Sequence, residues 1–411
     1  MDRAWPRRIV FINRFFAPDV SATSQILSDL AFHLAQNDYD VHVVCGDSLY
    51  TGALRLAHEE RLRGVQVHRV VGGRFGRSSL AGRAFDYLSL YVSLRQRLSA
   101  LLRPGDILVV KTDPPLLTIP IAGLAKRRGA IFVPWFQDLY PEVATALGVP
   151  FVRGPLEKLL TSLRNRSVKN AQHIVAIGER MRRHLSDEGI DAERIHVIPN
   201  WSDDKVVSPV PRNENPLRTA WGLAGKFVVG YSGNLGRAHE YESFIAAAER
   251  FRGRGDIGFL FIGGGHHVEA LKREAQSRGI ADLFQFQPYQ ARELLSQSLS
   301  VPDVHWLSLR PELEGLIVPS KFYGIAAAGR AVINVGAQDG EIASLVSRYQ
   351  CGVTIQPGDG PGIAAAIEHF MEDPPRVEEM GQNGRRMLVD HFSKARAMER
   401  WESLLKTCIK G

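Results

Sequence analysis

The amino-acid sequence predicts a two-domain α/β protein in which each domain has a parallel sheet covered by helices on both faces. Three observations lead to this prediction. The chain has 411 residues, which is too long for one ordinary core and fits two domains of about 200 residues each. Apolar strand-like segments alternate with amphipathic segments along its whole length, as parallel sheets require. A segment rich in proline and asparagine interrupts this alternation once, at residues 203–222.

The first half contains short apolar segments that predict strands and longer segments with a helical period that predict helices. The predicted strands are Arg8–Asn13, Val41–Cys45, Val65–Val70, Ile107–Lys111, Ile131–Phe136, His173–Ile177 and Ile195–Ile198. The predicted helices are Ala22–Gln36, Leu80–Leu102, Leu117–Arg128, Pro155–Asn170 and Glu179–Glu188. In Leu80–Leu102 the apolar stripe consists of Phe85, Leu88, Tyr91, Leu94, Leu98 and Leu101.

The second half repeats the same architecture after the interruption. Its predicted strands include Phe227–Tyr231, Gly258–Ile262, Phe284–Gln287, Val304–Leu309, Ala331–Val335 and Gly352–Ile355. The end of the chain, Val377–Ile409, reads as helical with a break near Asp390–Ser393. We therefore predict a first domain at 1–205, a linker at 206–222, a second domain at 223–390, and a C-terminal helix at 391–411 that packs back towards the first domain.

Composition narrows the class of protein. Apolar residues make up 45% and charged residues 23% of the chain, as in ordinary soluble proteins. The sequence has no uncharged apolar run of about 18 residues that could span a membrane, and the N-terminal residues lack the features of a signal peptide. The three cysteines are far apart, which argues against a disulfide framework and a zinc cluster. We expect a cytoplasmic protein.

The net charge of +7 is concentrated in the first half. Residues 61–103 contain nine arginines and one acidic residue, Asp86. Arg83, Arg95 and Arg97 flank the apolar stripe of the predicted helix, which suits peripheral contact with anionic lipid on the inner face of the cytoplasmic membrane. A helix that packs its stripe inward accounts for the same pattern. Nucleic-acid binding is not favoured, because no recognisable motif or stacking-aromatic pattern accompanies the arginines.

Two glycine-containing turns in the second half lie between a strand and a helix. They are Gly230–Arg237 and Ile262–His266. Glycine lets the backbone approach a phosphate, and amide groups at a helix start can face its charge. Each turn alone is a weak signal, but their recurrence in one domain favours a nucleotide site.

A third segment, Glu312–Lys321, combines two glutamates with a glycine and a lysine. Carboxylates accept hydrogen bonds from sugar or ribose hydroxyls, whereas backbone amides and an ammonium group suit a diphosphate. An exposed acidic loop followed by a lysine at a helix start would give the same pattern.

Further segments complete a pattern that covers nearly the whole chain. They are Phe15–Asp19, Ser28–Ala35, Val41–Gly46, Thr112–Leu116, Gln137–Glu142, Ile198–Trp201 and Gly329–Ile333. With these segments, the two glycine-containing turns and the segment Glu312–Lys321, the chain resembles the retaining family 4 glycosyltransferases. Within that family it resembles the bacterial enzymes of the colanic-acid and O-antigen fucosamine-transferase type.

The resemblance implies the GT-B fold, in which two facing Rossmann-like domains with parallel sheets enclose a cleft. It implies retaining transfer of a hexosyl group from a UDP- or GDP-linked sugar to a polysaccharide or lipid-linked oligosaccharide in bacterial surface-glycan biosynthesis. It implies no metal or other cofactor, because fixed positive groups stabilise the leaving diphosphate.

The resemblance also implies roles for individual residues. The catalytic group would comprise Asp138, Glu314, Arg237 and Lys321. The donor would be bound by Gly233, Asn234, Arg237, Gly263, Gly264, Gly265, Glu314, Gly315, Leu316, Ile317 and Lys321. The acceptor side would include Pro18, Asp19, Ser21, Thr23 and Ser24.

One position departs from the family. Gly324 stands where family members have the second of two glutamates, the one that holds the nucleotide ribose. The first glutamate corresponds to Glu314, with Glu312 as a rival. This departure keeps one alternative open, a non-catalytic partner subunit. A sugar-nucleotide epimerase or hydrolase with the same two-domain fold is a second alternative.

Overall fold

The computed structural model describes residues 8–49, 55–73, 80–150 and 152–410. It contains two compact α/β units. The first comprises the described residues up to Pro199 together with those from Met398 onward, and the second comprises Asn200–Ala397. The predicted fold class of two parallel-sheet α/β domains is confirmed.

The first unit is built on an eight-stranded sheet with the order β3-β4-β2-β1-β5-β6-β7-β8. Its strands are β1 (Ile9–Ile12), β2 (Val41–Gly46), β3 (Glu59–Leu62), β4 (Val65–Val70), β5 (Ile107–Lys111), β6 (Ile131–Trp135), β7 (Ile174–Ala176) and β8 (Ile195–Val197). Its helices are α1 (Ala22–Gln36), α2 (Leu80–Leu101), α3 (Thr118–Arg128), α4 (Glu142–Ala146), α5 (Pro155–Val168) and α6 (Glu179–Asp187). Central strands such as β1 and β5 are buried throughout, which explains their uninterrupted apolar runs.

The second unit has a six-stranded parallel sheet with the order β11-β10-β9-β12-β13-β14. Its strands are β9 (Phe227–Asn234), β10 (Ile257–Gly264), β11 (Phe284–Gln287), β12 (Val304–Ser308), β13 (Ala331–Val335) and β14 (Gly352–Ile355). The helices are α7 (Pro216–Ala220), α8 (Glu242–Ala248), α9 (Val268–Ser277), α10 (Leu295–Leu299), α11 (Lys321–Ala327), α12 (Glu341–Tyr349), α13 (Gly360–Glu372) and α14 (Pro374–Met387). The final helix, α15 (Lys394–Lys410), follows a π-helical turn at Leu388–Phe392.

Two features differ from the sequence-based prediction. Strand β3 pairs antiparallel with β4; it was not predicted because its residues Glu59–Leu62 are mostly charged and lie at the sheet edge. Segment 206–222 is not a free linker. It forms α7 and joins the second unit, where buried Arg218 donates hydrogen bonds to Asp303 at 2.8 and 3.2 Å.

The C-terminal helix belongs to the first unit from Met398 onward. The Trp401 ring packs edge-on against Trp135 with 4.5 Å between ring centres, and His33 lies 2.7 Å from the Glu402 carboxylate. The structure therefore divides the chain at Pro199 and again at Met398, rather than at the predicted boundaries 205 and 391.

Helix α2 buries only the second half of the predicted stripe. Leu90, Leu94 and Leu98 face the core, whereas Phe85 and Leu88 are exposed. The side chain of Arg83 lies outside the described part of the structure. None of the helices described is both long and apolar enough to cross a membrane.

Candidate active site

The strand order of the second sheet predicts where a ligand binds along the carboxyl edge of the sheet. From β9 the chain first adds β10 and β11 on one side, and later adds β12 to β14 on the other. In open parallel sheets, ligands bind outside the carboxyl ends of the strands at which this direction reverses. Here those strands are β9 and β12, which end at Asn234 and Ser308.

The glycine-containing turns after β9 and β10 pack directly on each other. Gly233 is the register partner of Gly263. A Cβ atom on Gly263 would lie 2.3 Å from the carbonyl oxygen of Gly233, and one on Gly265 would lie 2.5 Å from the backbone nitrogen of Leu235. Only glycine fits at these two positions, so these glycines bring the turns together. Gly263 and Gly265 are therefore needed for packing between the two turns, whether or not a phosphate approaches them.

The side chain of Lys321 occupies the space beside these turns. Its Cε atom would lie 2.7 Å from a Cβ atom on Gly233. Its Nζ lies 2.9 Å from Nε2 of His239 and 5.5 Å from the ring centre of Tyr231. Burial lowers the pKa of Lys321 to about 8. Within the described ranges, no carboxylate forms an ion pair with this ammonium group, so its charge is available to an anion.

Two other predicted donor residues lie at the end of β9 and in the turn that follows it. Asn234 and Arg237 are both exposed to solvent. Burial and the neighbouring His266 lower the pKa of His267, and the charges of Arg310 and Arg237 add to this effect. Both arginines are therefore close enough to His267 to affect its charge.

Arg310 was not predicted as a site residue from the sequence. It follows β12 by two residues, and its backbone N–H donates to the carbonyl oxygen of Ala238 at 3.0 Å. Its Nε is buried and has no hydrogen-bond partner among the described residues. An arginine directly after β12 could have been recognised as a site residue from the sequence only if the strand order had been known.

Glu314 has a partner at the start of α12. Its carboxylate accepts a hydrogen bond from the backbone N–H of Glu341 at 3.1 Å, while Glu312 is exposed. The structure thus gives Glu314 a helix-capping contact beside the site, which the sequence did not predict.

The amides after Glu314 differ from the expectation. The N–H groups of Leu316 and Ile317 donate to the carbonyl oxygen of Leu313 at 3.0 and 3.3 Å. These two amides are therefore engaged within the loop, because Gly315 turns the chain with a φ of 76°. Of the side chains predicted to bind the diphosphate, Lys321 and the exposed Arg237 remain available.

The glycine Gly264 lies next to an exposed aromatic ring. A Cβ atom on Gly264 would meet the Tyr289 ring at 3.3 Å, and Tyr289 is 63% exposed. This aromatic ring, which was not predicted from the sequence, offers a flat surface for a nucleotide base.

At Gly324, the position that departs from the family, a Cβ atom would only touch Leu299, at 3.7 Å. Packing therefore does not require glycine there.

In the first unit, polar residues gather after β5 and β6. The backbone N–H of Asp138 donates to the hydroxyl of Thr112 at 3.3 Å. Burial and the charge of Asp113 raise the pKa of Asp138 to about 6, and burial raises that of Asp113 to the same range, about 6. Burial lowers the pKa of Lys111 to about 7. Asp138 is thus one of three interacting groups, of which Asp113 and Lys111 were not predicted as site residues.

The predicted acceptor-side residues have different environments. Pro18 is exposed, while Asp19 is buried and accepts a hydrogen bond from the backbone N–H of Ser21 at 2.9 Å. Thr23 accepts a hydrogen bond from Lys111 through its carbonyl oxygen at 2.9 Å. Ser24 is fully buried on the inner face of α1, so its predicted contact with an acceptor is not compatible with this position.

One cluster in the described ranges has the composition of a metal site. Ligand atoms of Glu142, His184 and Glu188 lie within 4.8 Å of one another. However, the Arg164 guanidinium donates hydrogen bonds to both carboxylates. The same two glutamates raise the pKa of His184 to about 9. Because Arg164 and the protonated His184 balance the charges of the two carboxylates, this cluster is a half-buried ion-pair network.

Comparison with known protein families gives matches in both halves. Residues 22–201 match the model "Glycosyl transferase 4-like domain", and residues 215–387 match "Glycosyl transferases group 1".

Relatives of known name cover most or about half of the chain. A protein named as a glycosyltransferase, WbjE of Pseudomonas aeruginosa, is 27% identical over 76% of this chain and 77% of its own length. A protein named for glycosyl transfer in colanic acid biosynthesis, WcaI of Escherichia coli, is 29% identical over 68% of this chain and 66% of its own. A GDP-mannose-dependent mannosyltransferase of Mycolicibacterium smegmatis is 26% identical over 51% of this chain and 55% of its own.

Solved structures share the fold at low identity. Sucrose-phosphate synthase of Thermosynechococcus elongatus superposes with a TM-score of 0.78 at 16% identity, covering 98% of both chains. HepE of Anabaena, solved in complex with UDP-glucose, gives 0.73 at 16% identity, covering 97% of this chain and 99% of that one.

Proposed function

Because the chain belongs to the family 4 type of GT-B glycosyltransferases, we propose that it moves a hexosyl group from a nucleotide sugar to a surface-glycan acceptor with retention of configuration. The donor is UDP- or GDP-linked, and the reaction needs no metal ion. The acceptor is a polysaccharide or lipid-linked oligosaccharide. Support for the donor comes from HepE, solved with UDP-glucose, and from the GDP-mannose-dependent relative.

The observation that carries this proposal is the unpaired charge of Lys321. A partly buried ammonium is unfavourable unless an anion meets it, and within the described ranges no carboxylate does so. Lys321 lies where the second sheet reverses its strand order, the usual ligand position in such sheets. A diphosphate supplies the missing negative charge.

The same groups suit the chemistry of transfer. As the bond between sugar and phosphate breaks, negative charge builds on the leaving diphosphate. Lys321 and the nearby Arg310 and Arg237 would stabilise this charge more in the transition state than in the ground state, which accelerates the reaction. Fixed cations of the protein then take the part that a metal ion plays elsewhere. Asp138 is the residue that we propose to stabilise positive charge at the anomeric carbon of the sugar.

A donor screen tests this proposal. We expect UDP or GDP to raise the melting temperature of the protein, because a ligand that binds only the folded state stabilises it. Labelled UDP- and GDP-hexoses with a lipid-linked acceptor should then give a product whose new bond keeps the anomeric configuration of the donor, also with a chelator present. Sugar release or epimerisation without an acceptor would favour the hydrolase or epimerase reading, and nucleotide binding without any turnover would favour a non-catalytic subunit.

Peripheral contact with the cytoplasmic membrane is a second part of the proposal. Phe85, Leu88 and Val92 are 58%, 58% and 49% exposed. Their spacing places them on one face of α2, with exposed Arg95 one turn further. α3 lies alongside, since Arg128 donates a hydrogen bond to Ser99 of α2 at 3.0 Å. An exposed apolar face beside basic residues suits an anionic lipid surface.

Vesicle sedimentation tests the membrane contact. We expect the protein to sediment with phosphatidylglycerol vesicles at low salt and less with phosphatidylcholine vesicles. The double substitution Phe85→Ser and Leu88→Ser should reduce sedimentation without lowering the melting temperature, because both side chains are already exposed. Equal sedimentation of the variant would rule out this face.

A further inference from the structure

We propose that His239 is a positioning residue that aims the Lys321 ammonium at the donor diphosphate by accepting a hydrogen bond from it. The inference rests on the proposed role of Lys321 in binding the diphosphate. His239 itself need not touch the donor.

The hydrogen bonds of His239 fix which ring nitrogen carries the proton. Its Nδ1 lies 2.6 Å from the carbonyl oxygen of Ser308. A carbonyl oxygen only accepts, so Nδ1 must donate. In a neutral ring the other nitrogen, Nε2, then has a lone pair, and this lone pair faces Nζ of Lys321 at 2.9 Å.

The surroundings keep this ring neutral. His239 is buried, and burial together with the charge of Lys321 lowers its pKa to about 3. Tyr231 lies next to both groups, and burial raises its pKa well above the usual value. Neither neighbour therefore carries a charge near neutral pH.

The stem of Lys321 is held separately from its head. Cε and Cδ pack beside Gly233, where a Cβ atom would lie 2.7 and 3.2 Å away. Packing fixes the direction of the chain, but not the position of the terminal ammonium. The contact with His239 supplies that second point.

A neutral acceptor suits this task better than a carboxylate. A glutamate or aspartate in place of His239 would hold the ammonium but also cancel its charge, and the diphosphate would have to compete with it. An imidazole nitrogen accepts one hydrogen and leaves the full positive charge, with its two other hydrogens available.

Four variants and two nucleotides test the inference by calorimetric titration. UDP and GDP are titrated into wild type, and the nucleotide that binds tighter is used for His239→Gln, His239→Asn, His239→Leu and Lys321→Met. The Gln side chain reaches as far as Nε2 and can accept from Lys321, whereas Asn reaches only the Nδ1 side and Leu cannot accept. Melting temperatures are recorded for all variants.

We expect Asn and Leu to weaken nucleotide binding about tenfold, as loss of a hydrogen bond to a charged group does, and Gln to restore most of it. If all three His239 variants bind like wild type while Lys321→Met binds weakly, the positioning role is wrong but the phosphate role of Lys321 stands. If Lys321→Met also binds like wild type, the phosphate role itself fails.

A measurement on the folded wild type covers the case in which the His239 variants do not fold. In protein labelled with ¹⁵N-histidine, one histidine should remain neutral and protonated on Nδ1 between pH 8 and pH 5. Its Nε2 signal should shift in Lys321→Met, because that nitrogen loses its hydrogen-bond donor. Absence of such a histidine, or a spectrum unchanged by Lys321→Met, would overturn the proposal.

Discussion

The pH dependence of nucleotide binding is the sharpest test of the site, because Lys321 titrates within an accessible range. Burial lowers the pKa of Lys321 to about 8. Its charged fraction therefore falls from about nine tenths at pH 7 to about one tenth at pH 9. The nearby His239 and Tyr231 stay neutral over this interval, since the pKa of His239 is lowered to about 3 and that of Tyr231 is raised.

This change in charge sets the magnitude of the effect. If only the ammonium form binds the diphosphate, the dissociation constant rises about tenfold between pH 7 and pH 9, or about 1.4 kcal/mol. The sign follows from the charges: binding is tight below the lysine pKa and weakens as pH rises through it.

The assay is calorimetric titration with UDP or GDP at several pH values between 7 and 9. Lys321→Met is the control, because methionine fills the same space beside Gly233 without a charge, and titration of the nucleotide itself affects both proteins equally. The difference between the two proteins should shrink towards high pH. If the dissociation constants of wild type and Lys321→Met change with pH in the same way over this range, Lys321 does not bind the nucleotide through its charge. Lys272→Met, which removes an exposed lysine, should leave the wild-type profile unchanged.

Three further predictions concern single side chains. Gly233→Ala should weaken nucleotide binding in calorimetry and lower the free energy of unfolding by about 1–3 kcal/mol in chemical denaturation, because its φ is +126° and the new Cβ would meet the side chain of Lys321. Gly255→Ala, at an open position, should change neither quantity. Equal behaviour of the two variants would contradict the packing argument. Tyr289→Ala should weaken UDP or GDP binding by about 1–3 kcal/mol but leave inorganic pyrophosphate binding intact, because only a base can stack; a parallel loss of pyrophosphate binding would argue against stacking. Asp138→Asn should lower kcat far more than nucleotide affinity. The wild-type rate should fall as the pH drops below about 6, because the Asp138 carboxylate then gains a proton. A wild-type rate that does not change from pH 7 to pH 5 would exclude this role of Asp138.

The sequence predicted the repeated architecture because buried parallel strands have a strong local signature. The apolar run 107–110 lies in a strand that is buried throughout, and such runs are typical of strands covered on both faces. Two segments without such a local signature were predicted wrongly. Strand β3 is charged because it lies at the sheet edge, and 206–222 looks like a linker although Arg218 anchors it to Asp303.

At the candidate site, the sequence alone identified Lys321 and the glycine turns, because a glycine next to a strand end and a lysine at a helix start are features of consecutive residues. Only the tertiary structure decided what these residues touch. Gly233, Gly263 and Lys321 meet because β9 and β10 are neighbours and α11 starts beside them. His239 and Arg310 became candidates for the same reason: strand order, which pairs residues far apart in the chain, has no local signature in the sequence.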